Sequence, residues 1–148
     1  MSTYTQILYQ IVFGTKNRHP VLLKEKRDDL YKYITGLLKN KNCHLYQIGG
    51  VADHIHIVTH LHPSISLASL VKDIKLASSE YIKLQNIFPH FNGWQEGYGA
   101  FTYSIKEKER LIEYVKNQEE HHKIQTFREE YSALLKELEI EFEEKYLL

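Results

Sequence analysis

The stretch "HLYQIGGVADHIHIVTHL", residues 44 to 61, predicts two β-strands joined by a short link. The segment "HLYQIGG", residues 44 to 50, contains strand-favouring residues and ends in paired glycines. The segment "HIHIVTHL", residues 54 to 61, alternates histidine or threonine with aliphatic residues, which is the period of a strand with two different faces. Because the link is so short, we expect an antiparallel hairpin.

The flanking segments place this hairpin in a β-α-β-β-α-β order. Before it, the apolar residues 5 to 15 predict a strand, and an apolar stripe within residues 24 to 40 predicts a helix. After it, we expect a helix from Pro63 to about Leu84 and a strand over residues 100 to 104. This order predicts an α+β, ferredoxin-like split βαβ fold: a four-stranded antiparallel sheet with two helices on one face.

Two more helices are predicted after the last strand. The capping-box spacing S/T-x-x-E begins at Ser104 and again at Thr126. We expect the first of these helices to begin near Ile105 and to run past Gln118. The apolar stripe of the second contains Phe127, Tyr131, Leu134, Leu135 and Leu138. Residues 141 to 148 are expected to form a tail or a docking arm.

Length and charge limit the class of protein. The chain has 148 residues, of which 43% are hydrophobic, so we expect residues 1 to 148 to form a single domain. Nineteen basic and nineteen acidic residues cancel, so the overall charge of a strong nucleic-acid binder is absent. The front of the chain, residues 1 to 90, has 11 basic and 6 acidic residues, a net of +5 that could face a polyanion.

Composition also indicates the compartment. A lone cysteine, Cys43, excludes an internal disulfide and a cysteine-built zinc site. No apolar run approaches the ~20 residues that a membrane-spanning helix needs, and the first residues lack the features of a secretory signal. We therefore expect a cytoplasmic protein with no membrane partner.

Four histidines fall on alternate positions of the second hairpin strand: His54, His56, His60 and His62. Residues i and i+2 of a strand project from one face about 6 to 7 Å apart, so His54 and His56 can share a metal ion. His60 is about 20 Å from His54, which makes it and His62 a separate pair at the rim. The alternative for the first pair, surface or hydrogen-bonded histidines without a metal, remains open on spacing alone.

The segment "EYVKNQEEHH", residues 113 to 122, contains candidates for the rest of a site. Tyr114 and Gln118 are spaced i, i+4 on one helical face, with His121 and His122 about one turn further. A tyrosine at such spacing is more often a core residue than a catalyst. A buried carboxamide beside it would need polar partners, however, which is unusual for a purely apolar face.

Two features suggest a nucleic-acid surface. The second helix has a basic and hydroxyl-rich face, which by itself is best explained as solvated: Lys72, Lys75, Ser78, Ser79 and Lys83. The loop over residues 86 to 99 contains four aromatic residues, Trp94 among them, and three glycines. Aromatic rings can stack on unpaired bases, and glycines allow backbone amides to approach phosphates. With a candidate metal pair, these features indicate single-stranded nucleic acid.

Four segments, "GGVADHIHIVTHL", "LVKDIKLASSEYI", "WQEGYGAFTYS" and "YVKNQEEHHK", resemble in order and spacing the single-tyrosine HUH transposases of the insertion-sequence-200-like family. HUH stands for histidine, hydrophobe, histidine. The opening "QIVFGTKNRHPVL" and the closing "TFREEYSALL" are also similar to that family, so the resemblance covers nearly the whole chain. It implies that His54, His56 and Gln118 bind a divalent metal, Mg²⁺ or Mn²⁺, and that Tyr114 is the nucleophile.

The resemblance also implies the reaction and the partners. Such enzymes cleave and rejoin single-stranded DNA with hairpins at the element's ends, through a 5′-phosphotyrosine. They are homodimers in which the tyrosine helix of one subunit can complete the histidine site of the other. The residues expected to contact DNA are Lys72, Lys75, Trp94, His121 and His122, although a solvated helix end explains the two histidines equally well.

Three alternatives remain open. The first is a host-retained relative that acts on repeated palindromic elements by the same chemistry. The second is a non-catalytic module that binds single-stranded nucleic acid, since ferredoxin-like sheets also serve in RNA recognition. The third is a metal-dependent nuclease that releases its product by water attack.

Overall fold

The computed structural model of the chain describes residues 2 to 143 and residue 147. In that part of the chain, no helix is both long enough and apolar enough to cross a membrane. The strands are β1 (Leu8–Gly14), β2 (Leu45–Gly50), β3 (His54–His60) and β4 (Gly99–Tyr103). The helices are α1 (Arg27–Asn40), α2 (Leu67–Gln85), α3 (Lys108–Lys116), α4 (Gln118–His121) and α5 (Phe127–Glu137).

The four strands form one sheet in the order β2-β3-β1-β4, and all neighbouring strands are antiparallel. The predicted hairpin and the ferredoxin-like order are therefore confirmed. Strand β3 lies between β2 and β1, with His56 opposite Val12 and His54 opposite Gly14. The histidine pair consequently lies on an interior strand, where neither edge is free.

One face of the sheet is covered by α1 and α2, as the apolar stripes predict. The alternating apolar residues of β1 and β3 that face these helices include Ile11, Phe13, Ile55 and Ile57. They pack against Leu30, Ile34 and Leu38 of α1 and Leu70, Val71, Ile74 and Ile82 of α2. Helix α2 begins at Ser66, whose hydroxyl accepts from the amide of Ser69. This apolar layer holds the sheet and leaves the histidines to the opposite face.

The opposite face is also covered, by the C-terminal helices. Leu8 and Val58 pack against Leu111 and Val115 of α3. Near β4, Val12 and Phe101 pack against residues that follow Thr126, namely Phe127, Leu135 and Leu147. The sequence predicted two helices on one face and left the position of the C-terminal helices open. Here they turn the sheet into the middle layer of three.

The predicted tail lies partly outside the described residues, which exclude 144 to 146 and 148. Of the described ones, Phe142 and Leu147 pack on the second face. The Arg128 side chain donates to the carbonyl oxygen of Leu147 at 2.7 Å. At these two positions the end of the chain packs against α5 rather than extending away from it.

The prediction of one continuous helix through Gln118 is wrong. A short 3₁₀ turn precedes α3, which ends at Lys116, and a separate turn begins at Gln118. Asn117 between them has φ −97° and ψ 23°, outside helical geometry. Asparagine favours such a break because its short amide competes for backbone hydrogen bonds. The capping box predicted at Thr126 is confirmed, whereas Ser104 caps only through the amide of Lys106.

Candidate active site

His54 and His56 lie side by side on the face of β3 that the C-terminal helices cover. Their side chains are 0% and 1% exposed, which excludes a solvated surface pair. The Nδ1 atom of His54 is 2.7 Å from Asp53 Oδ1, and that of His56 is 2.8 Å from Gln10 Oε1. Gln10 is itself held by its Nε2, which donates to the Tyr103 hydroxyl at 3.0 Å. With Nδ1 occupied on both rings, the Nε2 atoms point towards the C-terminal helices.

Tyr114 and Gln118 reach the same point from α3 and α4. Gln118 is 1% exposed, and its Oε1 is 3.1 Å from His54 Nε2. Its Nε2 donates at 3.0 Å to Glu130 Oε2, the same carboxylate oxygen that accepts from the Tyr114 hydroxyl. The structure therefore brings together all four residues that the sequence assigned to metal binding and catalysis, within one chain.

Glu130 on α5 is the central residue that the sequence interpretation missed. It is 3% exposed, and its Oε1 lies 3.3 Å, 3.2 Å and 3.0 Å from the Nε2 atoms of His54, His56 and His122 respectively. A signal was present: position 130 falls between Phe127 and Leu134 on the apolar stripe of α5. A carboxylate on such a stripe must find buried partners, because an unpaired buried charge is very costly.

The two adjacent histidines have different surroundings. His122 contacts the Glu130 carboxylate and places its ring 4.6 Å from that of His54. His121 instead lies with its ring 4.8 Å from the Tyr114 ring. His122 therefore belongs to the site, and His121 borders the tyrosine. On the other side, the Phe127 ring stacks on His54 at 3.9 Å and 8°, which connects α5 directly to the histidine pair.

Lys75 and Trp94 do not join this site. The Lys75 ammonium donates to the carbonyl oxygens of Gln95 at 2.9 Å and Gly97 at 2.6 Å. The Trp94 indole donates to Ser78 Oγ at 2.9 Å and packs its ring edge-on to Phe13 at 4.9 Å. These contacts fix the aromatic loop over the α1 and α2 face of the sheet. Lys72, by contrast, is exposed on α2. A DNA contact by any of these residues stays a prediction.

His60 and His62 lie at the other end of β3, as strand length predicts. His60 Nε2 is 3.5 Å from the hydroxyl of Thr5, and His62 Nδ1 is 2.7 Å from the hydroxyl of Ser64. Both hydrogen bonds are exposed. The four histidines are thus two pairs in different environments.

Charge is concentrated at Glu130. Burial alone would raise the pKa of its carboxyl, but hydrogen bonds with His122, His54 and His56 outweigh burial and hold that pKa well below its usual range. Burial, reinforced by the charge of Glu130, raises the pKa of the Tyr114 hydroxyl. The carboxylate is therefore ionised, and the tyrosine keeps its proton and donates it.

The two imidazoles respond in opposite directions. Burial disfavours a charged His54, yet its hydrogen bonds to Asp53 and Glu130 outweigh burial and raise its pKa. Burial dominates at His56 and lowers its pKa in spite of Glu130. The directions differ because His54 faces two carboxylates and His56 only one.

The donor atoms fit a divalent metal ion. The ligand atoms offered by His54, His122 and Glu130 all lie within 4.8 Å of one another. The Nε2 of His56 and the Oε1 of Gln118 face the same point. Imidazole nitrogen, amide oxygen and carboxylate oxygen together suit Mg²⁺, Mn²⁺ and related ions. These residues fit the metal that the resemblance implies.

Two solved structures share this fold. A Deinococcus radiodurans R1 protein, described as a candidate transposase and solved at 1.90 Å, superposes with a TM-score of 0.62 at 24% identity, covering 80% of this chain and 95% of that one. A REP-associated tyrosine transposase bound to a REP hairpin superposes with a TM-score of 0.61 at 17% identity, covering 82% and 74%. This chain therefore shares its fold with these two proteins.

Sequence comparison identifies the family. The family model "Transposase IS200 like" matches residues 3 to 118. The chain belongs to the IS200-like transposase family, and the resemblance drawn from its motifs is confirmed.

Two curated relatives agree with this assignment. The transposase for insertion sequence element IS200 of Salmonella typhimurium is 28% identical over 121 residues, which is 78% of this chain and 79% of that protein. The ISDra2 transposase TnpA of Deinococcus radiodurans is 24% identical over 118 residues, or 76% and 84% of the two chains. The matches span most of each relative.

Proposed function

We propose that this protein, as one domain over residues 1 to 148, cleaves and rejoins single-stranded DNA at insertion-sequence ends. Tyr114 is the nucleophile, and His54, His56 and Gln118 bind a divalent metal ion, Mg²⁺ or Mn²⁺. The observation that carries this proposal is the convergence at one buried point of two imidazoles from β3 with Gln118 and Tyr114, some sixty residues later in the chain. A purely apolar core would not require four polar side chains to meet at one buried point.

The chain's own groups prepare the metal site. Asp53 and Gln10 hold the imidazoles of His54 and His56 by their Nδ1 atoms, which leaves Nε2 free to bind a metal. Two neutral imidazoles and an amide leave a bound ion most of its charge, with which it would polarise the scissile phosphate. Gln118 is fixed by its amide nitrogen on Glu130, so its oxygen faces His54.

The tyrosine then exchanges one phosphodiester for another. The Tyr114 oxygen loses its proton to solvent and bonds to phosphorus, the bond from phosphorus to the 3′ oxygen breaks, and that oxygen takes up a proton. The product is a 5′-phosphotyrosine with a free 3′ hydroxyl. A second 3′ hydroxyl can displace the phenolate by the reverse step, because a phenol of pKa near 10 is a usable leaving group. Joining needs no ATP.

Membership of the family supports a proposal for the substrate and for the assembly. A neighbour in structure, the REP-associated tyrosine transposase, is bound to a REP hairpin, which supports hairpin-bearing single-stranded DNA as the substrate here. A second candidate is a host-retained relative acting on repeated palindromic elements, since the neighbour with the REP hairpin shares this fold. In either case we propose a homodimer in the cytoplasm.

A covalent-adduct assay tests the proposal. The protein is incubated with a labelled hairpin-bearing oligonucleotide and Mn²⁺, and adducts are resolved under denaturing conditions. We expect the wild type to form an adduct that is lost in Tyr114→Phe and in His54→Ala. Tyr33→Phe on α1 and His60→Ala at the far end of β3 are matched controls, and both should keep the adduct.

Two other results would replace the proposal. Cutting by Tyr114→Phe would indicate a hydrolytic nuclease, in which water attacks the phosphate. Binding of the oligonucleotide by the wild type without cutting, with every divalent ion tried, would indicate a non-catalytic binding module.

A further inference from the structure

We propose that Glu130 is a further ligand of the metal ion, so that two imidazoles, one amide and one carboxylate hold it. The inference rests on the proposed function, because it concerns the same metal site. The family model ends at residue 118, before α5, so that match assigns no role to Glu130. The carboxylate is supplied by α5, which lies beyond the residues that the family model matches.

The position of Glu130 is built into the fold. Its two neighbours on the apolar face of α5, Phe127 and Leu135, are 4% and 6% exposed and anchor the helix on the sheet. The Phe127 ring stacks directly on His54. The packing of α5 on the sheet consequently holds the Glu130 carboxylate over the histidine pair. Glu130 is not a flexible side chain on the surface.

Hydrogen-bond partners show that the carboxylate faces lone pairs. The Gln10 amide nitrogen donates to Tyr103, so its oxygen is the atom beside His56 Nδ1, which must carry the ring proton. In a neutral ring, His56 Nε2 then presents its lone pair to Glu130 Oε1 at 3.2 Å. His54 is placed in the same way, with its Nδ1 on the Asp53 carboxylate and its Nε2 facing oxygens of Gln118 and Glu130. Converging lone pairs repel unless a cation lies between them.

The separations are those of ligands around one ion. A divalent ion with bonds of about 2.1 Å places neighbouring ligand atoms about 3.0 Å apart in octahedral geometry and about 3.4 Å apart in tetrahedral geometry. The distances from Glu130 Oε1 to the His54 and His56 nitrogens are 3.3 Å and 3.2 Å, and His54 Nε2 is 3.1 Å from Gln118 Oε1. The observed distances between these ligand atoms therefore lie between the octahedral and the tetrahedral separation.

Charge favours the same assignment. His54, His56 and Gln118 offer neutral donors in a buried site, where an uncompensated divalent charge is costly. One carboxylate halves that charge and leaves the ion a net positive charge for the phosphate. The second oxygen of Glu130 accepts from Tyr114, so a single side chain connects the nucleophile to the metal.

Metal titration without DNA tests the inference. Mn²⁺ binding is measured by calorimetry for the wild type, Glu130→Gln and Glu129→Gln. Glu129 is the matched control: it is the exposed neighbour on α5, and glutamine at its position keeps the capping box with Thr126. We expect Glu130→Gln to weaken Mn²⁺ binding by about 10-fold or more and Glu129→Gln to bind as the wild type does.

A second readout separates a ligand from a structural residue. Mn²⁺ should raise the melting temperature of the wild type and of Glu129→Gln, and this rise should be lost in Glu130→Gln even where its metal-free melting temperature is retained. Should Glu130→Gln fail to fold, Glu130→Asp, one methylene shorter, replaces it and is also expected to bind Mn²⁺ more weakly.

Unchanged Mn²⁺ affinity in a folded Glu130 variant overturns the inference. If His54→Ala loses Mn²⁺ while Glu130→Gln retains it, the proposed function stands and only the carboxylate ligand is wrong. Absence of Mn²⁺ binding to the wild type overturns the inference as well, and the adduct assay then decides the proposed function independently.

Discussion

Histidines of the same strand parity differ here because only one end of β3 is covered. His54 and His56 lie under α4 and α5 and are buried, whereas His60 makes an exposed hydrogen bond to Thr5. The same argument applies to carboxylates on α5. Glu129 is exposed and caps its helix, while the next residue, Glu130, lies beneath it against three imidazoles. For each of these residues, the element that packs over the side chain decides whether the residue is buried in the candidate site or exposed to solvent.

Tyr31 on α1 offers a test of burial at one residue. Among the described residues its hydroxyl oxygen has no hydrogen-bond partner, and burial raises the pKa of Tyr31 from 10.0 to about 12, with nearby Arg27 opposing. Because the folded pKa is the higher, the free energy of unfolding keeps its full value below pH 10 and falls as the pH rises through 12. The fall amounts to roughly 2 to 3 kcal/mol.

We expect Tyr31→Phe to remove that pH dependence. Urea unfolding at pH 8 and at a pH near 12 should show a larger fall in unfolding free energy for the wild type than for Tyr31→Phe. At pH 8 the variant should be as stable as the wild type or slightly more so, because an unpaired buried hydroxyl is removed. Equal falls in the two proteins would contradict a raised pKa.

At the scale of elements, the placement of α3 determines where the tyrosine lies. Helix α3 crosses β2 so closely that a Cβ on Gly49 would lie 2.5 Å from the carbonyl oxygen of Val115, the residue after Tyr114. Gly49 therefore does more than end a strand. It allows the backbone of the tyrosine helix to approach the sheet, and the break at Asn117 then lets Gln118 begin a new turn over His54.

Replacing Gly49 by alanine should displace α3. Because the obstructing atom belongs to the backbone, we expect Gly49→Ala to lower the unfolding free energy by about 1 to 3 kcal/mol and to slow adduct formation by Tyr114. Gly36→Ala on α1 is the matched control. Nothing lies within 4 Å of a Cβ there, so alanine should stabilise the helix by about 0.5 to 1 kcal/mol and leave the adduct rate unchanged. Urea unfolding and the adduct assay measure both effects, and a Gly49→Ala protein that behaves like Gly36→Ala would contradict the close approach.

At the scale of the molecule, the sheet is the middle of three layers with different tasks. Helices α1 and α2 supply an apolar layer with few polar contacts to the sheet. The C-terminal helices supply an apolar rim around a polar centre made of histidine, glutamine, glutamate and tyrosine. The chain's own Tyr114 and His54 both contact Glu130, so the candidate nucleophile and the candidate metal ligands lie together within one chain.

This arrangement predicts that Tyr114 acts on DNA held by its own chain's histidines. Mixed dimers of Tyr114→Phe and His54→Ala chains, purified through two different tags, should form no adduct, since neither chain has both groups. Recovery of the adduct on the Tyr114 of the His54→Ala chain would show instead that the tyrosine helix serves the partner subunit.

The sequence by itself determined the order of strands and helices, the separation of the histidines into two pairs, and the candidates His54, His56, Tyr114 and Gln118. These follow from local periodicity, spacing and family motifs. All three can be recognised in the sequence without knowing which residues are in contact in the folded protein. Only the tertiary structure decided that the second face of the sheet is covered, that Lys75 and Trp94 hold a loop, and that Glu130 lies against His54, His56 and His122. His56 and Glu130 are 74 residues apart, and a helical stripe indicates that a face is buried without indicating which strand lies against it.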